Sequence, residues 1–110
     1  MKLPNPERAI VDLKKLRDYC LSSEHPRGRH KARMFAAILG FTAKDAEELK
    51  HALLSAAHTY EAFSIGGDDY GQRYAVDFPM DGPSGTVAIR SLWIVRHGED
   101  FARLITCYVL

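Results

Sequence analysis

Cysteine is scarce in this chain, with two in 110 residues. Cys20 and Cys107 have no paired spacing of the kind that builds a zinc site. Each falls on an apolar stripe, so both are expected as buried thiols without a disulfide or redox role. Long apolar runs are missing as well, and no stretch approaches the ~20 residues of a membrane span. The opening Met1 to Pro6 has neither an apolar signal core nor a twin arginine, which sets the expectation of a cytoplasmic protein with no membrane contact. Net charge is also small, at +1, so no global field draws the chain to nucleic acid, and any such affinity has to be local. No carboxylate cluster accompanies the basic residues, so neither a metal nor a cofactor is expected. Repeats and low-complexity tracts are lacking. What is present is 46% apolar and 26% charged residues, an ordinary composition for one soluble domain spanning 1–110.

Positive charge is concentrated in one place. Arg27, Gly28, Arg29, His30, Lys31, Ala32 and Arg33 put four cations and a histidine where a helix is expected to begin. That end already carries about half a positive charge from its free N–H groups, so cations are opposed there unless an anion reverses the sign. The next helix follows the ordinary rule, with Asp45, Glu47 and Glu48 in its first turns.

Periodicity predicts three helices followed by strands. Asp12 is placed to cap a first helix carrying Leu13, Leu16 and Cys20, while Ala9 to Val11 suits either a short strand or a helical turn. A second helix runs from about Arg29 to Leu39 and stops at Gly40. Thr42 and Asp45 form a capping box for a third, whose stripe is Ala46, Leu49, Leu53, Ala56 and Tyr60. From residue 61 the period becomes two: Tyr74, Val76, Phe78 and Met80 alternate with polar or small residues, and Asp81 to Gly85 is dense in turn formers. Thr86 to Arg96 completes a hairpin, Arg103 to Val109 is a last strand, and Ala62 to Ile65 suits a further strand. The expected class is α+β, two layers, with about three N-terminal helices and a three- to four-stranded antiparallel sheet.

Two surfaces attract attention. On the second helix Met34 and Ile38 form a second apolar stripe in line with Lys31, which predicts a lysine stem running along a buried face with its ammonium at the edge of a packed layer. On the last strand Ile105, Cys107 and Val109 are expected to face the core, leaving Thr106 and Tyr108 together on the other side. The neighbouring strand contributes either Arg90 with Leu92 and Ile94, or Ser91 with Trp93 and Val95, according to register.

The segments Arg27 to Phe35, Tyr70 Gly71 Gln72 Arg73 Tyr74, Ser91 Leu92 Trp93 Ile94 and Leu104 to Tyr108 resemble an uncharacterised bacterial domain family of unknown function, over nearly the whole chain. That family in turn resembles the superfamily of small metal-independent RNases that includes barnase, EndoU, colicin-type and RelE-type toxins. The resemblance implies an endoribonuclease, a toxin of a toxin–antitoxin pair, with RNA as substrate and a cognate antitoxin or immunity protein as partner. It implies His30 as acid or base, Lys31 with Arg90, or with Arg29 if the sheet arginine faces away, stabilising the phosphorane, and Thr106 and Tyr108 positioning phosphate or 2′-hydroxyl, with Tyr108 a further candidate acid. Arg27, Arg29, Arg33, Tyr74 and Ser91 are the implied substrate contacts. A non-catalytic module that binds RNA, an anion or a protein with the same cluster is the competing class. A purely structural, toxin-neutralising partner would instead show an exposed apolar patch.

Overall fold

The computed structural model describes residues 1–110. Four strands, β1 (Ala62–Asp68), β2 (Gly71–Gly82), β3 (Gly85–Arg96) and β4 (Arg103–Val109), form one antiparallel sheet in the order β1-β2-β3-β4. Each strand pairs with its sequence neighbour, the simplest connectivity short turns allow. The β2–β3 hairpin is paired without interruption from Gly82 opposite Gly85 to Gly71 opposite Arg96. Gly85 takes φ +128° at the turn exit, a conformation L side chains rarely adopt.

Three helical segments precede the sheet. Asp12 accepts a hydrogen bond from the Lys14 N–H at 3.0 Å, starting α1 (Leu13–Lys15), which continues in wider π-type turns over Leu16–Cys20. The second segment, α2 (Arg29–Met34), continues likewise over Phe35–Leu39 and stops at Gly40 with φ 72°. Thr42 and Asp45 form the expected capping box, after which a 3-10 turn (Ala43–Asp45) leads into α3 (Ala46–Thr59). Its buried residues are Ala46, Leu49, Leu53, Ala56 and Ala57. Tyr60 is not among them, because the helix ends at Thr59 and Tyr60, already extended, leaves the helical wheel.

All three helices pack on one sheet face. There Leu16, Cys20, Phe35, Leu39, Leu49 and Leu53 join Val76, Phe78, Ile89, Trp93, Leu104 and Cys107 in one apolar cluster. The buried Ser91 belongs to this face: its hydroxyl donates to the Val76 carbonyl at 2.7 Å and accepts from the Trp93 indole N–H at 2.9 Å. Register therefore sends Arg90, Leu92 and Ile94 to the uncovered face, alongside Ala75 and Asp77 of β2.

Three expectations change. The β3–β4 pairing shifts by one residue, from Leu92 opposite Thr106 to Trp93 opposite Leu104, so Ile105 is bulged and Leu104 takes the core position assigned to it. Strand β1 extends to Asp68, with an irregularity between Ser64 and Gly66 that the Gly66–Gly67 pair accommodates. Met34 is 44% exposed, so the second stripe of α2 is not a buried face, although Ile38 does pack on the core. Ile10 makes a single parallel bridge to Arg103, which favours the extended reading of Ala9 to Val11.

Removing the Ser91 hydroxyl leaves the Trp93 N–H buried without an acceptor. Ser91→Ala is expected to destabilise the fold by about 1–3 kcal/mol in urea unfolding, and adding Trp93→Phe, which removes the orphaned donor, to make the Ser91 loss close to zero in the double mutant relative to Trp93→Phe alone.

Candidate functional site

The basic loop is built around a histidine and a tyrosine. The His25 Nδ1 accepts from the backbone N–H of Arg27 at 3.1 Å and of Gly28 at 3.2 Å, so this ring carries its proton on Nε2. The same ring packs edge-on against Tyr19, with centroids 4.5 Å apart. Gly28 lies so close to the preceding helix that a Cβ there would sit 2.3 Å from the Tyr19 carbonyl oxygen. His25 is thus a structural residue that fixes where α2 begins, and Tyr19 is the surface on which that start is seated.

One turn into α2, Lys31 reaches across to β4. Its ammonium donates to the Thr106 hydroxyl at 3.3 Å and lies 5.3 Å from the centroid of the Tyr108 ring and 5.9 Å from that of Tyr19. No carboxylate pairs with it. A half-buried ammonium held by two ring faces and a hydroxyl keeps its charge available to an incoming anion. His30, Lys31, Met34, Tyr108 and Val109 line one open pocket of about 220 Å³.

Arg90 sits directly opposite Tyr108 across the β3–β4 pair. Its guanidinium makes two 2.8 Å hydrogen bonds to the Asp77 carboxylate and lies 5.4 Å from the Phe63 ring centroid. Asp77 drives the Arg90 pKa upward, with a smaller contribution from Tyr108. Arg90 is therefore a fixed, largely neutralised cation, whereas Lys31 is a free one.

Under Lys31 lie the two cysteines. The Cys20 sulfur is 3.8 Å from the Thr106 hydroxyl. Hydrogen bonding from Cys107 lowers the Cys20 pKa to about 6 against the opposing effect of burial, with smaller help from Thr106 and Lys31. The Cys107 thiol is pushed up, first because its proton is the one Cys20 needs and second by burial.

The remaining candidates divide. Arg27 on the loop and Arg29 at the first position of α2 are exposed beside His30. Arg33 turns away from the Lys31 pocket and lines a separate groove with Arg17 and Lys44, because two steps of about 100° put it on nearly the opposite side of the helix from Lys31. Ser91 and Tyr74 are on the covered face, the former fully buried and the latter packed against the core opposite Trp93, so neither reaches this pocket. Sequence reasoning had no signal for Tyr19, Asp77 or Phe63, each of which acts through a partner that only register or packing supplies.

A family model described as a domain of unknown function, DUF6883, matches residues 2–110. The chain belongs to the DUF6883 family. Among curated proteins nothing matches this DUF6883 chain. Among solved structures it is similar to a chain of a contact-dependent growth inhibition toxin–immunity protein complex from Klebsiella pneumoniae 342. The two share 18% identity at a TM-score of 0.61, over 94% of this chain and 95% of that one. At that identity the likeness concerns the fold, helices followed by a four-stranded antiparallel sheet.

Two outcomes follow from this geometry. Gly28→Ala is expected to lower stability by roughly 1–3 kcal/mol, read as a lower thermal midpoint, because the new methyl must displace backbone and not a flexible side chain. The depressed Cys20 pKa contributes stability that is present above the ordinary thiol range and lost as pH falls through about 6. The stability advantage of wild type over Cys20→Ser should accordingly grow between pH 6 and 8 in parallel urea titrations; a flat difference would contradict a folded-state thiolate.

Proposed function

We propose that this domain is a metal-independent endoribonuclease and the toxin of a toxin–antitoxin or toxin–immunity pair. The observation that carries this reading is the unpaired Lys31 ammonium, held at Thr106 and Tyr108 in a pocket that His30 also lines. A phosphodiester entering there would exchange water for an ammonium and a hydroxyl already in place, which is how developing phosphorane charge is stabilised without reorganisation.

His30 is the base or acid of the reaction, removing the 2′-hydroxyl proton or protonating the departing 5′-oxygen. Tyr108 is the complementary acid and Thr106 a hydrogen-bonding contact for phosphate or 2′-hydroxyl. Arg90 is recast: committed to Asp77, it steadies Tyr108 and adds only part of its charge to the site. Arg27 and Arg29 extend the cationic wall along the RNA backbone. DNA, which lacks the attacking hydroxyl, would not be cut. The fold likeness to a chain of a toxin–immunity complex supports a place in such a pair, with an antitoxin or immunity protein as the partner.

The second reading, a non-catalytic binding module, draws on the neutralisation of Arg90 and on a pocket open to solvent. The two are separated by incubating the folded protein with RNA in the presence of EDTA. Cleavage leaving a 2′,3′-cyclic phosphate is expected, abolished by 2′-deoxy substitution at the scissile nucleotide and reduced about 100-fold or more by His30→Ala or Lys31→Met. RNA that binds but stays intact would instead establish the binding module.

A further inference from the structure

Nothing in the proposed cleavage chemistry uses Phe63, a large apolar side chain that stays 43% exposed on the edge strand β1. It pairs with Ala75, Ala75 with Leu92 and Leu92 with Thr106, so one row of the uncovered face joins it to the candidate site. Three strand spacings make that row about 14 Å long. The next row on the same face is Asp77, Arg90 and Tyr108. Phe63 and Arg90 stand on strands two apart, about 10 Å or more between backbones. The guanidinium carbon is nevertheless 5.4 Å from the ring centroid, so ring and guanidinium meet over β2. Ala75 lies beneath them with no exposed surface, and its single methyl leaves room for the meeting. At the other end of the face Lys31 lies 5.3 Å from the Tyr108 ring, and Tyr108 is opposite Arg90. Cation and ring thus alternate across the sheet in the order Lys31, Tyr108, Arg90, Phe63.

We propose that Phe63 is a stacking platform for a nucleobase of single-stranded RNA lying across the uncovered face, and that this base belongs to a nucleotide flanking the one whose phosphate meets Lys31. The second half of the proposal rests on the reading of Lys31 as a phosphate contact; the first does not.

Charge and aromatic area select the occupant. Arg73, Arg90 and Arg103 are each paired with a carboxylate, so the face itself offers little net field to a phosphate. Lys31 at its border has no such partner. Phe63 offers a π-face, which takes a base whatever hydrogen bonds that base can make. Arg90, tied to Asp77 by two hydrogen bonds, holds the ring from one side and orders it before any ligand arrives. A strand with a phosphate at Lys31 and a base at Phe63 therefore matches both ends, an anion for the unpaired cation and a flat ring for the exposed aromatic. A duplex keeps its bases stacked on one another, so the occupant is single-stranded. The row from Thr106 to Phe63 is too long for the phosphate and base of one nucleotide to span, which assigns the stacked base to a neighbour. Because stacking strength sets the preference, adenine is expected to be held more tightly than uracil.

The test uses the intact protein with dinucleotide and tetranucleotide 2′-fluoro oligoadenylates, which lack the attacking hydroxyl, and follows the Phe63 and Tyr108 rings by NMR. Wild type is expected to bind the tetranucleotide about tenfold or more tightly than the dinucleotide, with upfield shifts of the adenine protons. Phe63→Ala should weaken the tetranucleotide by about five- to hundredfold and leave the dinucleotide unchanged. Phe63→Leu, which keeps apolar bulk without a π-face, should lose as much as alanine, and Phe63→Trp should bind as wild type does. The preference for oligoadenylate over 2′-fluoro oligouridylate should vanish in Phe63→Ala. Equal tetranucleotide binding by wild type and Phe63→Ala would overturn the platform, and so would an equal loss for both probes, which would make Phe63 a support for Arg90 only. Lys31→Met should weaken both probes. If it weakens neither while Phe63→Ala still weakens the longer one, the platform stands and the phosphate reading of Lys31 falls. No readout requires RNA cleavage, so a protein that stacks the tetranucleotide yet leaves RNA intact would sink the ribonuclease reading alone.

Discussion

The register of the β2–β3 hairpin is the constraint on which both faces of this molecule depend. Side chains alternate strictly along a strand, so pairing Arg90 with Asp77 also commits Ser91 to Val76 and Trp93 to Tyr74. A slip by one residue would carry a guanidinium into the apolar core and put the indole in water. Both errors are expensive, the first because an unpaired buried charge has no compensation. The turn at Pro83 and Ser84, with Gly85 at a φ that disfavours other residues, holds the correct alternative. From that single choice follow the covered face, which seats the helices, and the uncovered one, which presents Arg90 and, through β4, Tyr108.

Charge on the uncovered face is arranged unequally. Arg73, Arg90 and Arg103 each bond a carboxylate, Asp68, Asp77 and Glu99 respectively. These pairs fix geometry while cancelling field, in keeping with a chain whose net charge is +1. Lys31 is treated differently: aromatic faces and a hydroxyl surround it, and no carboxylate does. Lys31 thus places a cation without a carboxylate partner where the helical layer meets the edge strand. The exposed Phe63 and Ile65 on β1 add an apolar margin to that face, and Phe63 lies against Arg90.

Much of the architecture was legible because it is local. Asp12, Gly40 and the Thr42–Asp45 box announce helix ends through their own hydrogen-bonding and conformational preferences, and the helices begin or stop there. Period-two alternation marked β2 and β3 for the same reason. Errors arose where one element's fate depends on another. The bulge at Ile105 exists because β4 must follow β3, and it moved the core position to Leu104. Met34 looked like part of a buried stripe, but the strand edge beside it leaves it at the rim of a pocket. Arg33 and Lys31 are two residues apart in one basic run, yet they line different grooves.

The basic run, the helix-then-strand order, the turn residues and the pairing of Thr106 with Tyr108 on one strand face were determined by the sequence, since each depends on propensity or spacing over a few residues. Tertiary structure alone decided that Arg90 and not Ser91 shares the face of Tyr108, that Asp77 neutralises it, and that Lys31 stays unpaired. It alone brought Cys20 to Thr106 and made His25 a loop anchor. The physical reason is common to all of these: contact across strands and layers depends on register and packing of residues distant in the chain, and no local preference encodes it.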